Sequence, residues 1–329
     1  MPLINRCGGG GGTPQLCGQV ENFEANLGIL SVILSWTAPS PDEDNSFVGA
    51  RIVRKTGSAP TGINDGTVVY EGTALSYTDT GLTDGTTYYY RAFAYNAKKK
   101  YQTEYRVINK TAMAIQPNFA DNTWDIIIEA CHTDSVPDTW VTTDSKTMTI
   151  GGKSYHVDII GKNHDTYTAG GIAPLTFGLH DCYGTKYPMN NTNTNSTGWN
   201  DSRMRTETLP AILAKMPENI QNGIRAVNKR TATSGSSSTI KTTSDKLFTF
   251  SEMEVYGSTS YSHSGEGKQY DYYKAGNSKV KKVGSTASWW WLRSPISGND
   301  HFFLAVGTDG SINNYNANIS SGVCFGFCF

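Results

Sequence analysis

The sequence predicts a multidomain, β-rich chain in which an all-β sandwich precedes an α+β domain. Three observations carry that prediction. A length of 329 residues is enough for two or three domains with cores of their own. Between residues 19 and 114 short runs alternate at period two and are separated by turn residues, whereas from residue 118 onward helical and strand patterns mix. Gly, Ser, Thr, Asn and Tyr are abundant while charged residues make up only 17% of the chain, a balance typical of extracellular or virion β proteins rather than helical cytosolic enzymes. The net charge of -1 offers nucleic acid no electrostatic footprint. No apolar run reaches the roughly 18 residues that a spanning helix needs, so membrane insertion is not expected. The start MPLINRC lacks the charged, then apolar pattern of a signal peptide. Those features fit a virion component released by lysis, with a bacterial surface or other extracellular location as the alternative.

Residues 1–18 read as a tether, because Cys7 and Cys17 bracket the glycines 8–12 and glycine runs neither pack a core nor hold a helix cheaply. No phosphate loop is expected there, since a Gly-Lys-Ser/Thr ending and a preceding strand are both missing. Residues 19–114 then supply strands at 29–36, 48–54, 67–70 and 88–95. The run Gly81-Leu82-Thr83-Asp84-Gly85-Thr86-Thr87-Tyr88 resembles the turn before a late strand of fibronectin type III domains, which makes Tyr88 the corner tyrosine and Trp36 the core tryptophan. Both are expected to pack, and Lys98, Lys99 and Lys100 to occupy a solvated hairpin tip. The domain reads as a spacer.

The third region, 118–329, begins with a helix at 123–130 that has Thr or Asp near its start. A strand at 153–160 follows, then helices at 201–216 and 217–229, the second opening on Pro217, whose missing amide costs nothing there. A Thr/Ser/Gly-rich loop comes after Thr231, and 248–256 forms a short helix or turn. Trp289, Trp290 and Trp291 read as scaffold, with one of the three facing away by strand alternation, and Arg293 is expected to pair internally. Strands at 302–306 and 311–315 flank Asp309-Gly310, the dipeptide most tolerant of positive φ, and so form a hairpin.

The segment from about 296 to 329 contains no Lys, Glu, Gln, Met or Trp, although about five would be expected from their usage in the whole chain. Those five types are the ones that an AAC or AAT asparagine codon cannot reach when only its adenines are randomised. A surface of Asn, Tyr, Ser, Phe and Gly also has the composition of binding loops. The candidate ligand-binding residues are Asn299, Asp300, His301, Phe302, Asn313, Asn314, Tyr315, Asn316 and Asn318, with Ile296 and Ile319 as edge positions.

The run Trp290-Trp291-Leu292-Arg293-Ser294-Pro295, with Asp309-Gly310 and Gly322-Val323 downstream, resembles the carboxy-terminal signature of phage and bacterial variable proteins diversified by retroelements. The likeness extends upstream through 198–205, Ser244-Asp245-Lys246-Leu247 and 251–255, so it covers about residues 118–329. It departs at Cys324-Phe325, where such proteins commonly have an Arg-Pro-like pair. The resemblance implies a C-type-lectin-like fold related to formylglycine-generating enzymes, and a phage tail-tip receptor-binding protein or adhesin with a variable face from about 296 to 329. A host-cell surface protein or glycan is the implied partner, other virion tail proteins would dock the amino-terminal segment, and the role implies a homotrimer. The alternatives are a diversified lectin on a bacterial surface and a copper-dependent oxidase using Cys324 and Cys328.

No enzyme activity is expected. The spacing of Cys324 and Cys328 is shorter than the oxidase pair requires, and the run CFGFCF suits buried thiols. His132, His156, His164 and His180 stand near Asp134, Asp158, Asp165 and Asp181, but without a His-Glu-x-x-His or nucleophile-elbow pattern. No cofactor is expected; calcium is the one to consider, because residues 190–195 offer amide oxygens, yet they lack clustered carboxylates. The Asn-x-Ser/Thr sequences at Asn190 and Asn195 matter only in a eukaryotic secretory pathway.

Overall fold

A computed structural model describes residues 17–40, 47–102 and 106–329. The chain divides into two compact units, Met1–Ile115 and Gln116–Phe329. Cys7 and the glycine run lie outside the described residues.

The first unit contains β1 (Glu21–Gly28), β2 (Ser31–Thr37), β3 (Phe47–Thr56), β4 (Thr67–Gly72), β5 (Ser76–Asp79), β6 (Thr87–Asn96) and β7 (Arg106–Thr111). They form two antiparallel sheets, ordered β1-β2-β5 and β4-β3-β6-β7, the three-plus-four arrangement of a fibronectin type III-like sandwich. Period-two alternation buries Val32, Leu34 and Trp36 against Ile52, Tyr90 and Ala92. Trp36 meets Phe23 edge-on and Tyr70 at a tilt. The Tyr88 hydroxyl accepts the Thr83 N–H at 3.1 Å, which fixes the corner before β6. Tyr90 donates to Asp79 at 2.8 Å, and Arg54 closes the ion pair. Cys17 is not part of a free tether. It is buried in the sandwich core, its carbonyl accepts the Gln102 amide, and burial pushes its thiol up. The exposed lysine turn is tied down on one side, since Lys99 pairs with Glu71.

The second unit starts with α1 (Trp124–His132), capped by the Thr123 hydroxyl on the Ile126 N–H. Next come β8 (Ser145–Ile150), β9 (Lys153–Lys162) and β10 (Leu175–Leu179), then a π turn at Met204–Thr208 running into α2 (Leu209–Leu213), and α3 (Glu218–Gly223). β11 (Val227–Ser234) and β12 (Ser237–Asp245) form a hairpin, followed by α4 (Glu252–Tyr256), α5 (Asp271–Lys274), β13 (Lys281–Val283) and β14 (Thr286–Ser288). β15 (Trp290–Pro295), β16 (Phe302–Val306), β17 (Ile312–Asn316) and β18 (Gly326–Cys328) complete it. The architecture is mostly strand, with short helices. Two expectations fail here. The helix expected at 217–229 ends at Gly223, where the backbone lies so close to Ile128 that a Cβ would come within 2.8 Å of it. The Thr/Ser-rich stretch expected as a loop is the β11–β12 hairpin, because alternating Thr suits a half-exposed pleat.

The main sheet of this unit is ordered β18-β10-β9-β8. The chain's last strand is therefore core. Phe327 stacks on Phe177 with ring centres 5.3 Å apart, and Phe325 and Phe329 are also buried. Gly326 is required by close approach: a Cβ there would sit 2.8 Å from the Phe248 ring and 2.9 Å from the Phe177 carbonyl.

Candidate ligand-binding face

Trp290 and Trp291 are fully buried, and each buried indole N–H finds a carbonyl: Lys279 at 2.9 Å for Trp290 and Tyr187 at 2.8 Å for Trp291. Trp289, just before β15, is only half-buried. Arg293, at 0% exposure, makes a two-pronged pair with Glu254 at 2.5 and 2.8 Å and bonds the Thr249 carbonyl and the Thr231 hydroxyl. Glu254 also takes Lys229, which continues to Asp165 and Tyr270. Burial raises Asp165 and Glu254, but their cations outweigh it: Lys229 and His164 hold Asp165 at about 2, and Arg293 and Lys229 keep Glu254 below its ordinary value. For Glu266 burial wins instead: it raises the carboxyl to about 7 against the opposing pull of the Ala232 N–H, the Ser294 hydroxyl and Arg293.

On this platform β15, β16 and β17 form a three-stranded antiparallel sheet with β17 at one edge. The register pairs Phe302 with Asn316, Phe303 with Tyr315, Leu304 with Asn314 and Ala305 with Asn313. Strand alternation therefore places Asn313 and Tyr315 on the side of Trp291, whose partner is Ala305, and Phe302, Asn314 and Asn316 on the opposite side. The nine candidate residues do not share one face. Tyr315, 38% exposed, leans on Trp289 and Trp291 with ring centres 5.2 and 6.2 Å away. Asp300 and His301 are exposed beside each other, as is Asn318 farther along.

Three candidates have internal work, among them Asn313, whose side chain accepts the Asn314 N–H at 3.3 Å. The Asn299 side chain accepts the N–H groups of His301 and Phe302 and so shapes the turn before β16. Asn316 accepts the Asn193 amide at 3.0 Å. The structure also adds residues that the sequence reading missed. Asn195, fully buried, donates to the carbonyls of Asn299 and Phe302 and accepts the Gly235 N–H. It joins the display turn to the tip of the β11–β12 hairpin, where a Cβ on Gly235 would overlap the Asn299 carbonyl at 1.8 Å. Tyr261, half exposed, lines a small pocket of about 200 Å³ with Leu304, Ile312, Asn313 and Asn314. The patterns that mark Asn195 in the sequence point to glycosylation or calcium and not to this bracing role, and none marks Tyr261, because both residues act across long separations.

The Asn/Thr-rich segment is a hydrogen-bonded brace. Asn190 donates to the Thr194 carbonyl and accepts the Arg203 N–H, and Asn193 accepts the Ala317 N–H. Cys324 and Cys328 are buried, with separate partners: the Leu179 carbonyl for the first, Thr176 and Asp165 for the second. Burial pushes the Cys324 thiol up to about 11, against the pull of Lys281, and pushes Cys328 well above its ordinary value. Among the described residues no three His, Cys, Asp or Glu side chains converge on one metal position, and no helix is long and apolar enough to cross a membrane.

Residues 175–327 are similar to a domain family of unknown function, DUF6273. Among solved structures, the chain is similar to a computationally redesigned β-sandwich protein, at 21% identity over 31% of this chain and 93% of that one, with a TM-score of 0.24. It is also similar to a fibronectin type III domain of the human KIAA0970 protein, at 19% identity, 35% and 93% coverage and a TM-score of 0.26. A third is the twitchin kinase region of C. elegans, at 16% identity, 49% and 31% coverage and a TM-score of 0.22. No curated protein shows significant similarity to the chain.

Proposed function

We propose that the chain is a receptor-binding protein or adhesin of a phage tail tip, in which the sandwich is a spacer and a C-type-lectin-like α+β domain carries a face diversified by a retroelement. The observation that supports this reading most is the contrast within a few residues of chain. Trp290, Trp291 and Arg293 are wholly buried and held by polar partners, whereas β17 lies at a sheet edge with Asn and Tyr side chains at least partly open to solvent. A rigid platform beneath a variable edge lets recognition change without refolding. The pocket beside Tyr261 has only neutral lining side chains and suits an uncharged group of a host-cell protein or glycan. Binding is reversible and non-covalent, strengthened by multivalency in a homotrimer, and needs neither calcium nor catalysis.

The direct test reads the gene from the Trp289 codon to the stop and searches the flanking few kilobases for a near-copy beside a reverse-transcriptase gene. Mismatches confined to adenines of the copy support the reading. Absence of a copy removes diversification and leaves binding to be tested on protein and glycan arrays, where Tyr315→Ala and Asn314→Ala should each weaken any ligand found by at least tenfold if the edge is the contact surface.

A further inference from the structure

We infer that His156 and His180 form a binding site for a divalent transition metal of the copper, nickel and zinc group, with Asp158 as its positioning residue. His156 lies on β9 and His180 directly follows β10; the His180 N–H donates to the His156 carbonyl at 3.0 Å, so the two are cross-strand neighbours. Strand alternation puts His156 and Asp158 on the same side of β9. The ring centres of the histidines are 6.4 Å apart. A nitrogen-to-metal bond of about 2.1 Å and about 1.1 Å from that nitrogen to its ring centre allow bridged rings to stand about 5.2 Å apart at a tetrahedral angle and up to about 6.4 Å apart when the two nitrogens are trans across the metal. The observed spacing is at the outer end of that range, and both side chains are exposed, so a small rotation of His156 closes it.

A second observation points to a cation. The Asp158 side chain is 4% exposed, its Oδ2 accepts His180 Nδ1 at 2.7 Å, and its Oδ1 has no hydrogen-bond partner. No Lys or Arg stands within ion-pair distance of it among the described residues, so His180 is the side chain that meets this buried carboxylate. With Nδ1–H directed at the carboxylate, the lone pair of His180 Nε2 is free for a metal, the carboxylate–histidine–metal relation that fixes the tautomer and raises ligand basicity. The Ser145 hydroxyl, on the residue paired with Asp158 across β8 and β9, is likewise buried without a partner. Clefts of about 320 and 390 Å³ lie on either side and share both histidines in their walls. Two imidazoles and open water-facing positions suit copper, nickel and zinc, in falling order of affinity from copper.

The test uses untagged full-length chain carrying Cys7→Ser, so that the amino-terminal thiol does not compete. Calorimetric titration with Cu²⁺, Ni²⁺ and Zn²⁺ should give one equivalent bound, and the Cu²⁺ complex should show electron-spin coupling to two imidazole nitrogens. His156→Ala and His180→Ala should each weaken binding at least tenfold and leave one-nitrogen coupling or none; metal-free melting should be unchanged for His156→Ala, whose ring is exposed, and lowered for His180→Ala, which takes from the buried Asp158 carboxylate its hydrogen-bond partner. Asp158→Asn should weaken binding by about 10- to 100-fold while keeping two-nitrogen coupling. Undiminished binding in the double histidine variant, or no binding at about 1 mM metal, overturns the assignment.

Discussion

Asn195→Ala tests whether the display turn is held by one buried amide. The substitution strands the Gly235 N–H and the Asn299 carbonyl, while the Phe302 carbonyl keeps the Ile296 N–H at 3.1 Å. Each buried group left without a partner costs about 1–3 kcal/mol, and the Asn299 residue is only half-buried, so the total loss should be about 2–3 kcal/mol. In a unit of this size that lowers Tm by roughly 5–10 °C. Asn195→Asp should be worse at neutral pH, because it keeps the acceptor for Gly235 but turns a carboxylate toward two carbonyls. Urea unfolding followed by tryptophan fluorescence is the assay, since Trp36 alone of the seven tryptophans belongs to the first unit. A loss below about 0.5 kcal/mol for Asn195→Ala would refute the staple.

Further outcomes are expected from the buried charges and the close-packed glycine. Arg293→Met leaves Glu254 with Lys229 as its remaining ion-pair partner and should destabilise by about 3–5 kcal/mol in the same unfolding assay. Glu266, raised from an ordinary 4.5 to about 7, binds its proton more tightly when folded; stability should therefore fall by about 3 kcal/mol as pH rises from about 4.5 to about 7, then level off, a slope that Glu266→Gln removes. Asp165 and Glu254 have the opposite sign, contributing stability above their ordinary values that is lost as pH falls below about 4, so the unfolding free energy should peak near pH 5. Gly326→Ala should cost about 1–3 kcal/mol by forcing Phe248 aside.

What was legible in the sequence was local. Thr123 caps α1 three residues from the N–H it accepts, Tyr88 reaches Thr83 five residues back, and the β16–β17 hairpin follows from Asp309-Gly310 between two strand patterns. Alternation predicts that one tryptophan of the three is more open, but not which one: Trp289 shares a side with the buried Trp291 and is more open because it precedes β15. Illegible features depend on distant partners. Lys229 meets Asp165 from 64 positions away, and Asn195 meets Asn299 from 104, distances at which no spacing rule links one residue to another. β10 and β18 are short and buried on both sides, so they show no alternation to read. Composition marks the candidate recognition residues by reporting that a segment is polar, but not which of its amides are already engaged inside the fold, as Asn299 is with the backbone and Asn316 with the Asn193 side chain.

The position of β17 has a consequence for how copies of this chain meet. An outermost strand offers unpaired backbone groups to any extended neighbour, and a long apolar strand there would recruit other molecules into a shared sheet. β17 is five residues long, and its asparagines have little strand propensity. The residues that suit it to varied contacts also keep it a poor template for self-association, so substitutions that add valine or isoleucine at positions 313–316 would trade selectivity for stickiness.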